Sequence, residues 1–167
     1  MAMTANGYIA KENGETPWSD EVWKSYYRIA KQFGAIILGS RTYHIMKEAN
    51  EFEKIGNPFT IVLTRQKATN TENFAFVPSP REALRVLEGK GFTQALLGGG
   101  GKANASFLKE NLVDEIYLDI EPLLFGKGIK LFADGEFETR LKLINTKTLS
   151  PNVIQLHYKV ELNKEDL

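Results

Sequence analysis

Residues 95–108 read Ala-Leu-Leu-Gly-Gly-Gly-Gly-Lys-Ala-Asn-Ala-Ser-Phe-Leu. A short apolar run, Ala95-Leu96-Leu97, meets four glycines, and Ala103, Phe107 and Leu108 follow at helical spacing. This is a buried strand, a tight turn and a helix. The same grammar occurs upstream. Ala35-Ile36-Ile37-Leu38 is bounded by glycines, and Gly39-Ser40 turns into a short helix from about Arg41 to Lys47. Phe59 to Leu63 is another buried strand, stopped by Thr64-Arg65, and Phe74 to Val77 is a fourth. Ser79-Pro80 opens a helix with Pro80 at its first position, where the missing N–H is tolerated, and Ala83, Leu84 and Leu87 form its apolar face. Strands alternating with helices predict an α/β fold with a mainly parallel sheet.

Outward from this centre, Met1 to Ala10 reads as a first strand with a turn at Asn6-Gly7, and residues 11–18 read as a loop. Ser19 suits an N-cap, and Asp20 and Glu21 in the first turn suit the positive end of a helix. Trp23, Tyr26, Ala30 and Phe33 form a predicted apolar stripe on that helix. After residue 113 the pattern changes. Ile116 to Ile120 reads as a strand, and Thr139–Leu149 and Val153–Leu162 as an antiparallel pair joined at Ser150-Pro151-Asn152. In the last strand Ile154, Leu156, Tyr158, Val160 and Leu162 alternate with Val153, Gln155, His157, Lys159 and Glu161, which predicts one mostly polar face. The expectation is a single domain over residues 1–167: a mainly parallel mixed sheet, helices on both faces and a C-terminal antiparallel strand pair.

Composition narrows the function. The chain has 167 residues, with 21 basic and 21 acidic side chains and no cysteine. Zero net charge and the lack of a basic stripe argue against nucleic acid as a partner. Without cysteine there is no disulfide, thiolate nucleophile, zinc ribbon or iron–sulfur cluster. No run reaches the roughly 18 apolar residues of a membrane span, and the N-terminus has no leader pattern, so a cytoplasmic protein is expected.

Ligands of open α/β sheets bind outside the carboxyl ends of the strands. After Leu38 come Gly39, Ser40, Arg41 and Thr42; after Leu63 come Thr64 and Arg65; after Leu97 come Gly98, Gly99, Gly100 and Gly101. These turns are rich in donors and contain no acid. The first and third open helices, whose free N–H groups attract anions. A clamp for a phosphorylated ligand is the expectation, against the blander readings of tight helix–strand packing for the glycines and a polar turn for Thr64-Arg65.

Other motifs fail. Gly98, Gly100 and Ala103 satisfy G-x-G-x-x-A, with Asp119 at the spacing of a ribose-binding acid, but a dinucleotide fingerprint normally opens the first βαβ unit. A Walker loop fails because Ala103 follows Gly101-Lys102. His44 and His157 have no metal-spaced neighbours, so no metal is expected, and His157 reads as solvated. No G-x-S-x-G elbow occurs. Asp20, beside the Trp18 loop, is the best acid candidate for a pocket, its alternative being support of the first helix.

Thr4-Ala5-Asn6-Gly7-Tyr8-Ile9-Ala10, Ile37-Leu38-Gly39-Ser40-Arg41-Thr42-Tyr43, Val62-Leu63-Thr64-Arg65, Leu97-Gly98-Gly99-Gly100, and Leu112-Val113-Asp114-Glu115-Ile116 with Pro122-Leu123-Leu124-Phe125-Gly126-Lys127-Gly128 and Leu131-Phe132 follow one another in order. Together they resemble the dihydrofolate reductase-like superfamily. The likeness is to the branch of the reductase domain of riboflavin-biosynthesis deaminase–reductases and its stand-alone relatives, and it covers nearly the whole chain. The resemblance implies a three-layer fold and a stand-alone NADPH-dependent reductase. Such an enzyme transfers a hydride to a C=N or C=O group of a small heterocyclic or ribityl-type substrate.

The resemblance further implies that residues 39–42 and 98–101 hold the cofactor phosphates, with Thr64 and Arg65 at the 2′-phosphate. Tyr8 and Trp18 would flank the substrate, and Asp20, Asn6 or a water would relay the proton. It also implies a cis peptide near Gly98-Gly99 and a homodimer through the terminal strands. Asn6 stands where the family motif has an acid, and Ser40 where it has its first Arg. On the first helix the nearest acids are Asp20 and Glu21, and the H-x-E…P-C-x-x-C deaminase motif is absent. The alternative to an enzyme is an NADP(H)-binding module without catalytic turnover.

Overall fold

The computed structural model describes residues 1–161. Leu162, expected to end the last strand, lies outside the described residues. The chain is mixed α/β, and it divides into two compact units. One comprises Met1–Tyr26 with the chain from Ala105 onward; the other is Tyr27–Asn104.

The Tyr27–Asn104 unit is built on an all-parallel sheet. It contains β3 (Ala35–Gly39), β4 (Phe59–Leu63), β5 (Phe74–Val77) and β6 (Leu96–Gly99), in the order β5-β4-β3-β6. Ile36, Ile37, Leu38, Ile61 and Val62 are buried, as a strand covered on both faces requires. Between β3 and β4 run α2 (Ser40–Glu48), which packs on both strands, and a single turn, α3 (Glu51–Lys54), that the sequence reading missed. Phe52 of α3 is buried against Tyr43 and Phe74. Next, α4 (Pro80–Gly89) packs on β4 and β5, and the Ser79 hydroxyl accepts the Glu82 N–H as its cap. Ala83 and Leu87 are buried there, but Leu84 is exposed, so the apolar face is narrower than expected.

The other unit contains β1 (Ala2–Thr4), β7 (Glu115–Glu121), β9 (Arg140–Ser150) and β10 (Val153–Glu161), in the order β1-β7-β10-β9. Here β1 runs parallel to β7, and the last two strands are antiparallel. A second small pair joins β2 (Tyr8–Ala10) to β8 (Ile129–Lys130), a short strand absent from the sequence reading. The even positions of β7, Ile116 and Leu118, meet Ile9, Leu108, Leu131 and Val160 in one apolar core. Leu108 belongs to α5 (Gly101–Lys109), and the boundary of the two units falls within α5 and within α1 (Asp20–Ala30).

The expected stripe on α1 is corrected. Val22, Ser25, Ile29 and Ala30 are buried, Trp23 and Tyr26 are half-buried, and Phe33 lies past the helix end. Ser25 is buried because Gln155 reaches it: Gln155 Nε2 donates to Ser25 Oγ at 2.9 Å and to Asp119 Oδ1 at 2.6 Å. The same bonds invert the expected faces of β10 at its start. Val153 and Gln155 are buried while Ile154 is 40% exposed. A polar face can be the inner face when its groups are paired. His157 is also not solvated. It stacks on Tyr117 with 3.8 Å between ring centres, and its Nε2 lies 2.8 Å from Glu115 Oε2.

Candidate functional site

In the parallel sheet, β3 is flanked by β4 on one side and β6 on the other, so the strand order reverses at β3/β6. Crevices at such switch points, outside the carboxyl ends, are where open α/β sheets bind ligands. The register places the three expected turns along that one edge: Gly39 pairs with Leu63, just before Thr64, and Leu38 pairs with Gly99.

Their local build follows from the sequence. Gly98 is required by packing. A Cβ there would lie 2.7 Å from Leu38 Cδ2 and 2.9 Å from Ile36 Cδ1. Gly99 takes a φ of +94°, open to glycine at no steric cost. The cis peptide falls at Gly99–Gly100, one bond beyond the expected position. Gly101 is the first residue of α5, and Asn104 N–H donates to the Gly100 carbonyl. Gly39 precedes α2 in an extended conformation, with no side chain capping the helix. Neither α2 nor α5 has an acid in its first turn. Ser40 and Thr42 are half-buried, Arg41 and Arg65 are exposed, and the Thr64 hydroxyl accepts the Gln66 N–H. The rim therefore offers backbone donors, hydroxyls and two guanidinium groups, a set suited to phosphate oxygens.

The other unit carries the remaining expected residues, grouped at the carboxyl ends of β1 and β7. Asn6, in the turn after β1, is a clamp. Its Oδ1 accepts from Thr4 Oγ1 at 2.9 Å and from the Phe125 N–H at 3.2 Å, while its Nδ2 donates to the Phe125 carbonyl at 2.7 Å. Phe125 stacks with Trp18 at 6.3 Å and 14°, and Tyr8 lies on Phe125 at 6.4 Å. Gly128 lets β8 approach β2: a Cβ there would stand 2.5 Å from the Ala10 carbonyl oxygen. Asp20 begins α1 and is exposed.

Glu121 escaped the sequence reading, and Asp119 entered it only as a refused ribose ligand. Asp119 and Glu121 share one face of β7 and are each 4% exposed. Asp119 lies mid-strand under Gln155, and no ribose contact is assigned to it. Glu121 Oε1 accepts both the N–H and the hydroxyl of Ser19 at 2.6 Å. The legible signal was the alternation Tyr117, Asp119, Glu121 against Ile116, Leu118, Ile120. An open cleft of about 500 Å³ is lined by Lys11, Glu12, Leu124, Phe125 and Lys127. Its two lysines are paired, Lys127 with Glu12 at 2.9 Å and Lys11 with Glu15 at 3.0 Å. Among the described residues no group of acids and histidines could hold a metal, and no helix is long and apolar enough to cross a membrane.

Residues 1–155 match the family described as RibD C-terminal domain. The uncharacterised protein YwjB of Bacillus subtilis (strain 168) is 30% identical over 165 residues, which are 95% of this chain and 94% of YwjB. A protein of Shewanella sp. PV-4 ascribed to riboflavin biosynthesis superposes with a TM-score of 0.81 at 21% identity, covering 97% of both chains. The diaminohydroxyphosphoribosylaminopyrimidine deaminase/5-amino-6-(5-phosphoribosylamino)uracil reductase of Thermotoga maritima superposes with a TM-score of 0.71 at 20% identity. It is covered over 54% of its length by 95% of this chain.

Proposed function

Since the chain belongs to the RibD C-terminal domain family, we propose that it is a stand-alone NADPH-dependent reductase folded as one dihydrofolate reductase-like domain. Its substrate is a small heterocyclic or ribityl-type molecule of the riboflavin-biosynthesis kind, reduced at a C=N or C=O group. One observation carries the reading: three donor-rich, acid-free turns share the carboxyl edge of one parallel sheet at its switch point.

The residues fit an NADPH. Gly39, Ser40, Arg41 and Thr42, together with Gly98, Gly99, Gly100 and Gly101, would hold the diphosphate through backbone N–H groups, hydroxyls and Arg41. Thr64 and Arg65 would hold the 2′-phosphate, where a cation is favourable and an acid would repel. The bound nicotinamide supplies the hydride. Tyr8 and Trp18 present flat apolar surfaces to a substrate ring. Asn6 holds the turn beside them through its amide. Exposed Asp20 would serve as the relay to the reduced group, through water.

The purified protein is expected to quench NADPH fluorescence and to bind NADH far more weakly. Arg65→Ala should weaken NADPH by about 1.5–3 kcal/mol, the scale of a hydrogen bond to a charged group, and leave NADH unchanged. Equal affinity for the two nucleotides in the parent protein defeats the Arg65 assignment.

A second reading, an NADP(H)-binding module without turnover, is favoured by Asn6, whose amide is engaged by Thr4 and by the Phe125 backbone rather than being an acid. Bound NADPH that is never oxidised across a panel of aminouracils and pterins would support it. We also propose a cytoplasmic homodimer. In its support, β9 is a sheet edge that exposes Leu141, Leu143 and Ile144, an arrangement that invites strand pairing with a second copy. Sedimentation of a monomer at all concentrations would refute the dimer.

A further inference from the structure

Glu121 ends β7 opposite Thr4, at the rim that carries Asn6, Trp18 and Phe125. The residue is 4% exposed, yet no lysine or arginine among the described residues forms an ion pair with it. Its Oε1 is saturated by the two Ser19 donors at 2.6 Å. Its Oε2 has no hydrogen-bond partner among the described residues. No sealed side-chain oxygen lacks a partner there, so Oε2 keeps a narrow opening to the outside.

A carboxylate so withdrawn from water is costly unless its charge is met. Ser19 and the positive end of α1 meet part of it. In the ionised form the remaining oxygen only accepts. Trp18 precedes Ser19, the partner of Glu121, and stacks on Phe125.

We propose that Glu121 is a substrate-contacting carboxylate, its Oε2 accepting an N–H from the donor edge of a flat heterocycle such as an amino-substituted pyrimidine. The inference rests on the reductase reading for calling that ring a substrate. It makes Glu121 a specificity residue: rings presenting an amino or N–H group are accepted, and rings presenting only carbonyl or methyl groups at that edge are refused. Through Oε1 the same side chain holds Ser19, and with it the start of α1.

The test uses the full chain and two probes, 2-aminopyrimidin-4-one and its 2-methyl analogue, titrated by tryptophan fluorescence with and without NADPH. The parent protein should bind the amino ring at least about tenfold more tightly than the methyl ring, the factor expected for one hydrogen bond to a charged acceptor. In Glu121→Gln, whose amide turns a donor toward the ring, that ratio should fall to near one while NADPH affinity stays unchanged. Equal binding of both rings by the parent protein overturns the inference, as does failure of either to bind below about 10 mM, even if the variant does not fold. A ratio retained in a folded Glu121→Gln also overturns it. Failure of the parent protein to bind NADPH strikes the cofactor reading instead, and the ring ratio measured without nucleotide still judges Glu121.

Discussion

The edge of the parallel sheet in the Tyr27–Asn104 unit and the β1/β7 edge of the other unit are made by opposite means. The first is set by strand ends and glycines. Each of its three turns is a short contiguous stretch, its shape depends on residues without side chains, and its backbone N–H groups and two guanidinium groups donate. The second is built from side chains. Asn6, Ser19, Glu121 and Phe125 come from distant parts of the chain, and their chemistry includes buried acceptance. A rim of the first kind is specified by strand ends and glycines, and substitution damages it by steric intrusion. A rim of the second kind is specified by partners, and substitution damages it by orphaning them.

The largest expected effect tests the steric half. In Gly98→Val the new side chain must enter space already held by the ends of Leu38 and Ile36, which are 0% and 1% exposed and must shift within the packed interior. Overpacking of this kind should cost about 3 kcal/mol, read as a shift in the denaturation midpoint at unchanged slope. A loss below about 0.5 kcal/mol, the range of ordinary surface substitutions, would mean that Gly98 is not packing-limited and that the contrast between the rims is wrong.

Next in size is the clamp. Asn6→Ala removes one acceptor shared by two donors and one donated bond, leaving the Phe125 N–H and carbonyl to water. The turn is exposed, so the loss should be about 1–2 kcal/mol, with faster amide exchange at Phe125. Asn6→Asp keeps the acceptor but turns a carboxylate oxygen toward the Phe125 carbonyl, where two acceptors repel, so its cost should be at least that of Ala. A clearly smaller cost for Asp than for Ala would show that the accepted bonds, not the donated one, hold the turn.

The same contrast explains what the sequence disclosed. Phe59–Leu63 and Phe74–Val77 are legible because each is a short apolar run, broken only by Thr60, that ends at turn-forming residues, and the turns after Leu38, Leu63 and Leu97 follow from the strand ends. Strands alternating with helices account for much of the parallel order that gathers those turns, though β4 and β5 are parallel with only a loop between them. Illegible features depend on distant partners. Gln155 and Ser25 are buried because each pairs with the other, which no period of apolar residues records. His157 is half-buried because Tyr117 and Glu115 lie across the strand pair. The short β8 forms because Gly128 admits the Ala10 carbonyl, and α3 is too brief to show a helical period. Glu121 was hidden because its reason for burial sits at Ser19, far away in sequence.

The smallest effect lies in the loop after β2, where partners are exposed and charge alone acts. Lys11 donates to the Glu15 carboxylate at 3.0 Å, and the Asn13 side chain accepts the Glu15 N–H at 2.9 Å. The Lys11 hydrogen bond and charge hold the Glu15 carboxyl below its ordinary value, against a weak opposing effect of burial. A lowered carboxyl value means that the pair's contribution is present above the unfolded value and is lost as pH falls through the folded one. In Lys11→Ala the Glu15 carboxyl should therefore titrate at higher pH than in the parent protein, as followed by carbon chemical shifts of its side chain. Added salt should narrow the difference, because both groups are solvated and screened. An unchanged midpoint would show that the ion pair is not populated in solution. Global stability should scarcely move, in contrast to the losses at Gly98 and Asn6, since an exposed pair has almost no desolvation to recover.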